Sequence, residues 1–394
     1  MVDVIATALM ISAAVIIVGF IADVLFKKTR VPDMLLLIVV GALAGPIFGV
    51  VDPAATQIFA PYLAALALVY ILFDGGMGLQ LNKVVSNSPR AVALAVLGFI
   101  FSVLAVAAVA VTVLGLPLLY GVLLGSICGG SSSIVVISLA NRTRISEKAS
   151  TTLILESAIT DILGIVVSLG IIGIIVTGQT NYGLMAVEIG GKFLVGAGIG
   201  VFLGLIWLLM MRRVNVLPFS YILTLAVVLF AYAFSESLGG SGALCALLFG
   251  LMLGNEEQIL RFFKLSAIGE LAVTEGLRRF EAEIAFLVRT FFFVFLGLMA
   301  SFSDVNVVWV GVTLSVLLFV VRYAAVWLST LKSEMTAENK LMTAILTRGL
   351  ATAVLATLPA QYGLPYADLF VNLAVVIIVA TTVIAAVGAA VYGK

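Results

Sequence analysis

The sequence predicts an all-α, polytopic membrane protein of about thirteen transmembrane helices. Three observations carry that expectation. Hydrophobic residues make up 63% of the chain and charged residues only 10%, against roughly 25% charged in a soluble domain, and the mean hydropathy is +1.28. A chain with so little polar surface has the bilayer as its solvent. The apolar residues also fall into stretches of about 20, the length one helix needs to cross hydrocarbon, separated by mostly short connections. Finally, the basic residues alternate. Seventeen of the 21 Lys and Arg lie in every other connection or at the C-terminus, and the connections between those hold none.

The elements follow in order, with boundaries good to a few residues. Span 1, at 4–25, is long enough to cross and lacks a basic start, so it reads as a helix rather than a cleavable signal. Lys27, Lys28 and Arg30 separate it from span 2, at 32–50. Span 3, at 59–79, ends in Phe73-Asp74-Gly75-Gly76-Met77-Gly78-Leu79, where Asp74 reads as a turn or capping residue; Lys83 and Arg90 follow. Spans 4 and 5, at 91–114 and 117–139, meet on the uncharged side. Arg142, Arg144 and Lys148 lead into span 6, at 149–176. Span 7, at 184–210, carries Glu188 and Lys192 four residues apart, an intrahelical pair, and Arg212 and Arg213 close it. Spans 8 and 9 occupy 217–235 and 240–254. The segment 255–282 is polar, carries Arg261, Lys264, Arg278 and Arg279, and reads as an amphipathic stretch on the membrane face. Spans 10 and 11, at 283–302 and 305–329, precede Lys332 and Lys340. Spans 12 and 13, at 339–360 and 367–391, finish the chain near Lys394.

Basic connections face the cytoplasm, which sets the N-terminus outside and the C-terminus inside. An odd count also permits two inverted six-helix repeats, 1–176 and 217–394, joined by a connector helix within 177–216. Transporters built this way place a site near the midplane between interrupted helices. Span 5 contains Gly129-Gly130-Ser131-Ser132-Ser133 and span 12 contains Thr347-Arg348-Gly349. Each is the fifth helix of its half. Small residues there allow unwinding that frees backbone groups toward a cavity or ion; tight helix packing is the competing use of such residues.

The remaining chemistry is sparse. A net charge of +1 gives no sign of a nucleic-acid partner. Cys128 and Cys245 sit in apolar stretches and read as small buried hydrophobes. With no histidine in the chain, a carried proton must ride on a carboxylate. Span 6 supplies two, in Glu156-Ser157-Ala158-Ile159-Thr160-Asp161. Asp161 lies near mid-depth. Residues five apart point about 140° away from each other round a helix, so the two acids look in different directions. Ser157 shares the Asp161 face and Thr160 sits at its edge, which offers hard oxygen ligands to a small cation. Glu156 then needs a counter-charge, and Arg348 on span 12 is the base at similar depth. Arg289 and Arg322 are near enough to the cytoplasmic face to reach it by extending their side chains. A competing assignment pairs Asp161 with Arg289.

Glu156-Ser157-x-x-Thr160-Asp161 resembles the Glu-Ser/Gly-x-x-Asn-Asp motif of the monovalent cation/proton antiporters, of the NhaP and sodium/proton exchanger type. Thr347-Arg348-Gly349-Leu350-Ala351 is similar to their Arg-Gly stretch, whose arginine pairs with the glutamate of span 6. Leu72-Phe73-Asp74-Gly75-Gly76, Tyr221-Ile222-Leu223-Thr224-Leu225-Ala226 and Leu238-Gly239-Gly240-Ser241-Gly242 look like the family's third, eighth and ninth helices. The likeness covers essentially the whole chain. Two positions depart from it: Thr160 stands where the family has Asn, and Ser131-Ser132-Ser133 replaces a common Thr-Asp-Pro, nearer the Kef-type potassium/proton branch. The resemblance implies a secondary antiporter, not an enzyme, with no cofactor beyond the transported Na+ or K+ and H+. It implies cation ligands at Asp161, Ser157 and Ser131, a homodimer, and residence in the plasma or inner membrane. One titrating acid suggests electroneutral one-for-one exchange, with sodium expected as the cation. A potassium-selective Kef-type exchanger and a sodium-coupled organic-anion symporter are the alternatives.

Overall fold

The computed structural model describes residues 2–29, 32–51, 60–78, 89–140, 143–178, 182–214, 219–262, 274–301 and 304–393. Among these, every regular element is helical. Besides a π-helical turn at Leu43–Ile47 and a 3-10 turn at Glu334–Glu338, they are α1 (Val2–Thr29), α2 (Asp33–Ala42), α3 (Ala60–Gly78), α4 (Pro89–Thr112), α5 (Leu118–Ile127), α6 (Ser133–Ala140), α7 (Glu147–Thr177) and α8 (Tyr182–Val214). There follow α9 (Ser220–Ser237), α10 (Gly242–Gly254), α11 (Glu256–Phe262), α12 (Glu275–Met299), α13 (Val305–Thr330), α14 (Asn339–Ala344), α15 (Leu350–Gln361) and α16 (Ala367–Tyr392). Each of the thirteen expected spans coincides with a helix or a pair of helices. Among the described residues, eight helices are long and apolar enough to cross a membrane alone, or nine if α10 and α11, bent by 86°, are one span. Shorter apolar helices at 33–47, 62–78, 118–127 and 350–361 fill the other places.

Both expected interruptions are present. α5 stops at Ile127 and α6 resumes at Ser133; α14 stops at Ala344 and α15 resumes at Leu350. The residues between include the Gly-Ser and Thr-Arg-Gly stretches, and glycine there weakens the helical backbone. The expected amphipathic segment 255–282 is only partly covered. Glu256–Phe262 forms α11, residues 263–273 lie outside the described ones, and α12 begins at Glu275 rather than 283. Its first turn extends beyond the apolar stretch with Glu275 and Arg279 paired at 3.6 Å, a spacing that supports a helix in water. The Glu188–Lys192 pairing expected on α8 falls on a side chain outside the described ones.

By packing, the helices form two compact units. One gathers residues 1–64, 88–176 and 289–394, and the other 65–87 and 177–288. These units interleave along the chain, so packing neighbours are not the sequence halves. The inverted-repeat division remains a proposal about symmetry. In the first unit α13 packs on α4 and α16, α4 on α5, and α15 on α16. Gly41 and Gly297 bring α2 and α12 so close that a Cβ on either would strike the opposing backbone. In the second unit Gly196, Gly200 and Gly204, four apart along α8, lie against α10 and the turn before it, and Gly250 and Gly254 of α10 meet the α3 backbone at Phe73 and Met77. Lipid supplies no hydrophobic drive between helices, so such small-residue stripes are how they associate.

Candidate functional site

α7 carries the acids, and the α5–α6 break lies against them. A Cβ placed on Gly130 would sit 3.3 Å from the Thr160 carbonyl oxygen and 3.4 Å from Asp161 Oδ1. The Asp161 carboxylate is therefore beside unwound backbone, and the residue is half-buried. The Ser131 N–H donates to Thr160 Oγ1 at 3.1 Å, and Thr160 Oγ1 donates to the Ser157 carbonyl at 3.1 Å. Ser157 Oγ donates to the Ile154 carbonyl at 2.9 Å, a bond its place mid-helix favours. Each hydroxyl gives its proton to the protein. Its oxygen keeps lone-pair capacity, which is what a hard cation uses.

The second break joins the first. The Ser132 N–H donates to the Thr347 carbonyl at 2.8 Å, so one backbone group freed at each interruption is satisfied by the other. A Cβ on Gly349 would run into the Ser132 side chain, which explains the glycine there.

The expected Glu156–Arg348 ion pair is corrected by the structure. Glu156, 1% exposed, is gripped by Arg322 of α13: Nη1 to Oε1 at 3.1 Å and Nη2 to Oε2 at 3.2 Å. Ser131 Oγ donates to the same Oε1 at 3.1 Å. Two parallel charge-assisted bonds satisfy both carboxylate oxygens, the strongest form such a pair takes. Arg322 Nε also donates to the Met342 carbonyl at 3.3 Å. Arg322 therefore does not extend to the membrane surface; it is 4% exposed.

Arg348 has another set of partners. It is the largest fully buried side chain among the described residues. Nη1 donates to the Gly129 carbonyl at 3.2 Å and to the Gly130 carbonyl, and Nη2 to Ser102 Oγ at 3.3 Å. Its own N–H donates to Thr381 Oγ1 at 3.2 Å. Gly129 and Gly130 lie just past the C-terminal end of α5, where partial negative charge gathers, and Arg348 sits against that end. Position decides this: Arg348 lies inside a break, where its backbone is held against the other interruption. The guanidinium reaches carbonyls there before it reaches a carboxylate on α7. It remains within electrostatic reach of Arg322, Glu156 and Asp161.

The competing partner of Asp161 is occupied elsewhere. Arg289 Nη2 lies 3.1 Å from Asp33 Oδ2, at the start of α2. Site residues the sequence does not single out are thus Arg322 as the charge partner, and Ser102 and Thr381 as supports of Arg348. Cys128 and Cys245 are buried free thiols.

A family model for the sodium/hydrogen exchanger transmembrane region matches residues 11–392. Over 390 residues the chain is 30% identical to the K(+)/H(+) antiporter NhaP2 of Shewanella sp. (strain MR-4), covering 95% of this chain and 64% of that protein. It therefore spans somewhat under two thirds of the length of that relative. Over 356 residues it is 25% identical to the Na(+)/H(+) antiporter 1 of Methanocaldococcus jannaschii, covering 86% and 80%. A solved structure of the sodium proton antiporter MjNhaP1 from the same organism superposes with a TM-score of 0.80 at 21% identity, covering 99% of this chain and 98% of that one.

Proposed function

We propose that this chain, which belongs to the sodium/hydrogen exchanger family, is a secondary antiporter exchanging a monovalent alkali cation for a proton at Asp161. One observation carries the reading. Of the two acids midway along α7, Glu156 is neutralised by a bidentate arginine, while Asp161 is half-buried beside the α5–α6 break. A carboxylate in that position can hold a proton or a cation, not both tightly. Either cargo removes its charge and lowers the cost of carrying it across an apolar barrier. Ser157 and Ser131 supply neutral oxygens around it, with Thr160 at the edge. One titrating group gives one proton per cation and electroneutral exchange. The protein would sit in the plasma or inner membrane, as a homodimer.

Sodium is the proposed cargo. A potassium reading is supported by a specific observation: the Shewanella relative is named a K(+)/H(+) antiporter, whereas the more distant Methanocaldococcus one is named for sodium. Proteoliposomes holding a pH gradient, titrated with sodium and potassium in parallel under clamped voltage, separate the two. In the same assay Asp161→Asn abolishes cation-driven proton flux. Retained flux in that variant would refute Asp161 as the exchange site.

A further inference from the structure

The two breaks are tied down by the same kind of bond. At the first, the Ser131 N–H donates to Thr160 Oγ1 of α7 at 3.1 Å. At the second, the Arg348 N–H donates to Thr381 Oγ1 of α16 at 3.2 Å. Matching these bonds matches their neighbours along the chain. Thr382 follows Thr381 as Asp161 follows Thr160, and Thr347 precedes Arg348 as Gly130 precedes Ser131. Thr343 stands as far before Arg348 as Ser126 stands before Ser131. A Cβ on Gly130 would sit 3.4 Å from Asp161 Oδ1. At the second break Thr347 carries a side chain at that place, and Thr382 stands where the acid would be.

The second place is neutral, and its hydroxyls are unspent. Thr343 is 1% exposed, and Thr347 and Thr382 are 0% exposed. Among the described residues, none of the three hydroxyls has a hydrogen-bond partner. A helical threonine commonly donates to a carbonyl one turn back, as Thr381 does to Ile377 at 2.7 Å. At the first break the Ser126 and Ser168 hydroxyls bond at 2.8 Å. The residue matching Ser168 on α16 is Ala389, buried and without a polar side chain, so Thr343 loses that partner. Buried hydroxyls of this kind are satisfied by internal water, which bonds about three polar groups at once. A cation is the poorer occupant. Arg348 is fully buried at this break, and Arg322 Nε donates to the carbonyl of Met342, next to Thr343. Thr382 brings no charge to offset theirs, and like charges repel.

We propose that Thr347 and Thr382, with Thr343 beside them, hold ordered water at the α14–α15 break, in the place where the α5–α6 break has Asp161. The water joins the break to α16 through hydroxyls that the protein leaves unbonded. Of two similarly built places, one can change its charge and the other cannot. This inference goes beyond exchange at Asp161 and stands on the hydroxyls alone.

Two measurements test it. A high-resolution structure of the purified protein is expected to show a density peak within hydrogen-bond distance of both Thr347 Oγ1 and Thr382 Oγ1. Thallium, a heavy stand-in for potassium, is expected to add no anomalous signal there. A parent protein without the peak, or with thallium at it, overturns the proposal. The second measurement is a sign. Thr382→Val keeps the side-chain shape and removes the hydroxyl. Removing a dry, unbonded hydroxyl raises the Tm, whereas removing one bonded to water strands the water and lowers it. The expected result is a lowered Tm and loss of the peak, both in Thr382→Val and in a second variant, Thr347→Val. A Tm raised or unchanged in either variant overturns the proposal. Asp161→Asn keeps the peak, so failure of the exchange assignment reads out in flux and failure of this one in density and Tm.

Discussion

Replacing Arg322 with Met tests the charge partner of Glu156. The substitution keeps the aliphatic volume and removes the guanidinium. Glu156 then loses two charge-assisted bonds, at 3.1 and 3.2 Å, and keeps one neutral donor, Ser131 Oγ at 3.1 Å. Breaking a buried pair by removing one partner costs about 3–5 kcal/mol, because the other charge is stranded. The surviving hydroxyl bond offsets about 1 kcal/mol of that. Adding Glu156→Gln removes the stranded charge, so the double variant should recover most of the loss, with a coupling energy of up to about 3 kcal/mol. The parallel cycle of Arg348→Met with Glu156→Gln should show much weaker coupling. There the damage is the Gly129 and Gly130 carbonyls of the break left bare, at about 1–3 kcal/mol each, and Glu156→Gln cannot repair them. Denaturant unfolding of the purified protein in detergent measures both cycles. Rescue of Arg348→Met by Glu156→Gln, with none for Arg322→Met, would refute the assignment.

Two further outcomes rest on the same geometry. Under the proposed competition at Asp161, acid pH inhibits by raising the apparent KM for cation, up to about tenfold per pH unit; saturating cation restores the rate, as initial-rate measurements in proteoliposomes across pH would show. Gly349→Ala drives a methyl into Ser132 and should cost about 1–3 kcal/mol by overpacking; Ser132→Gly in the same chain relieves it, read by thermal unfolding of the single and double variants.

The thirteen spans are legible in the sequence because crossing hydrocarbon sets a length, and length is visible in one dimension. The breaks are legible because glycine and serine cluster at matching places. The partner of Glu156 is not, because depth along the membrane normal does not say which way a side chain points. By depth alone Arg322 is shallow enough to reach the surface. Its helix face says otherwise: Gly311, Ser315, Leu318, Arg322, Val326 and Ser329 recur at helical spacing, and all are buried. An arginine on a stripe of small and apolar residues faces the protein, and that signal is present in the sequence. Glu281 shows the same pattern with Leu277 and Val288, inside a segment whose composition speaks only of polarity.

The arginine partners set the charge balance around the proposed site. Glu156 and Arg322 cancel, as do Asp33 and Arg289. Arg348 is then left with a positive charge spread over the carbonyls of the α5 end and within reach of Asp161. With Asp161 ionised, that pair sums to zero; with a proton or a cation bound, it carries +1. Under the exchange proposed at Asp161, the two loaded states are alike in charge, so exchange of one for the other would move no net charge. The empty state is the one the arginine affects. A bare Asp161 near a fixed positive charge is less costly to bury than an isolated carboxylate, so charge alone is a weaker bar to an empty crossing than it would be without Arg348. In the proposed cycle coupling would then rest more on the oxygens proposed as ligands, those of Ser157 and Ser131. Their geometry around the break, set by the bonds among Ser131, Thr160 and Glu156, is complete only while the α5–α6 interruption stays seated on α7.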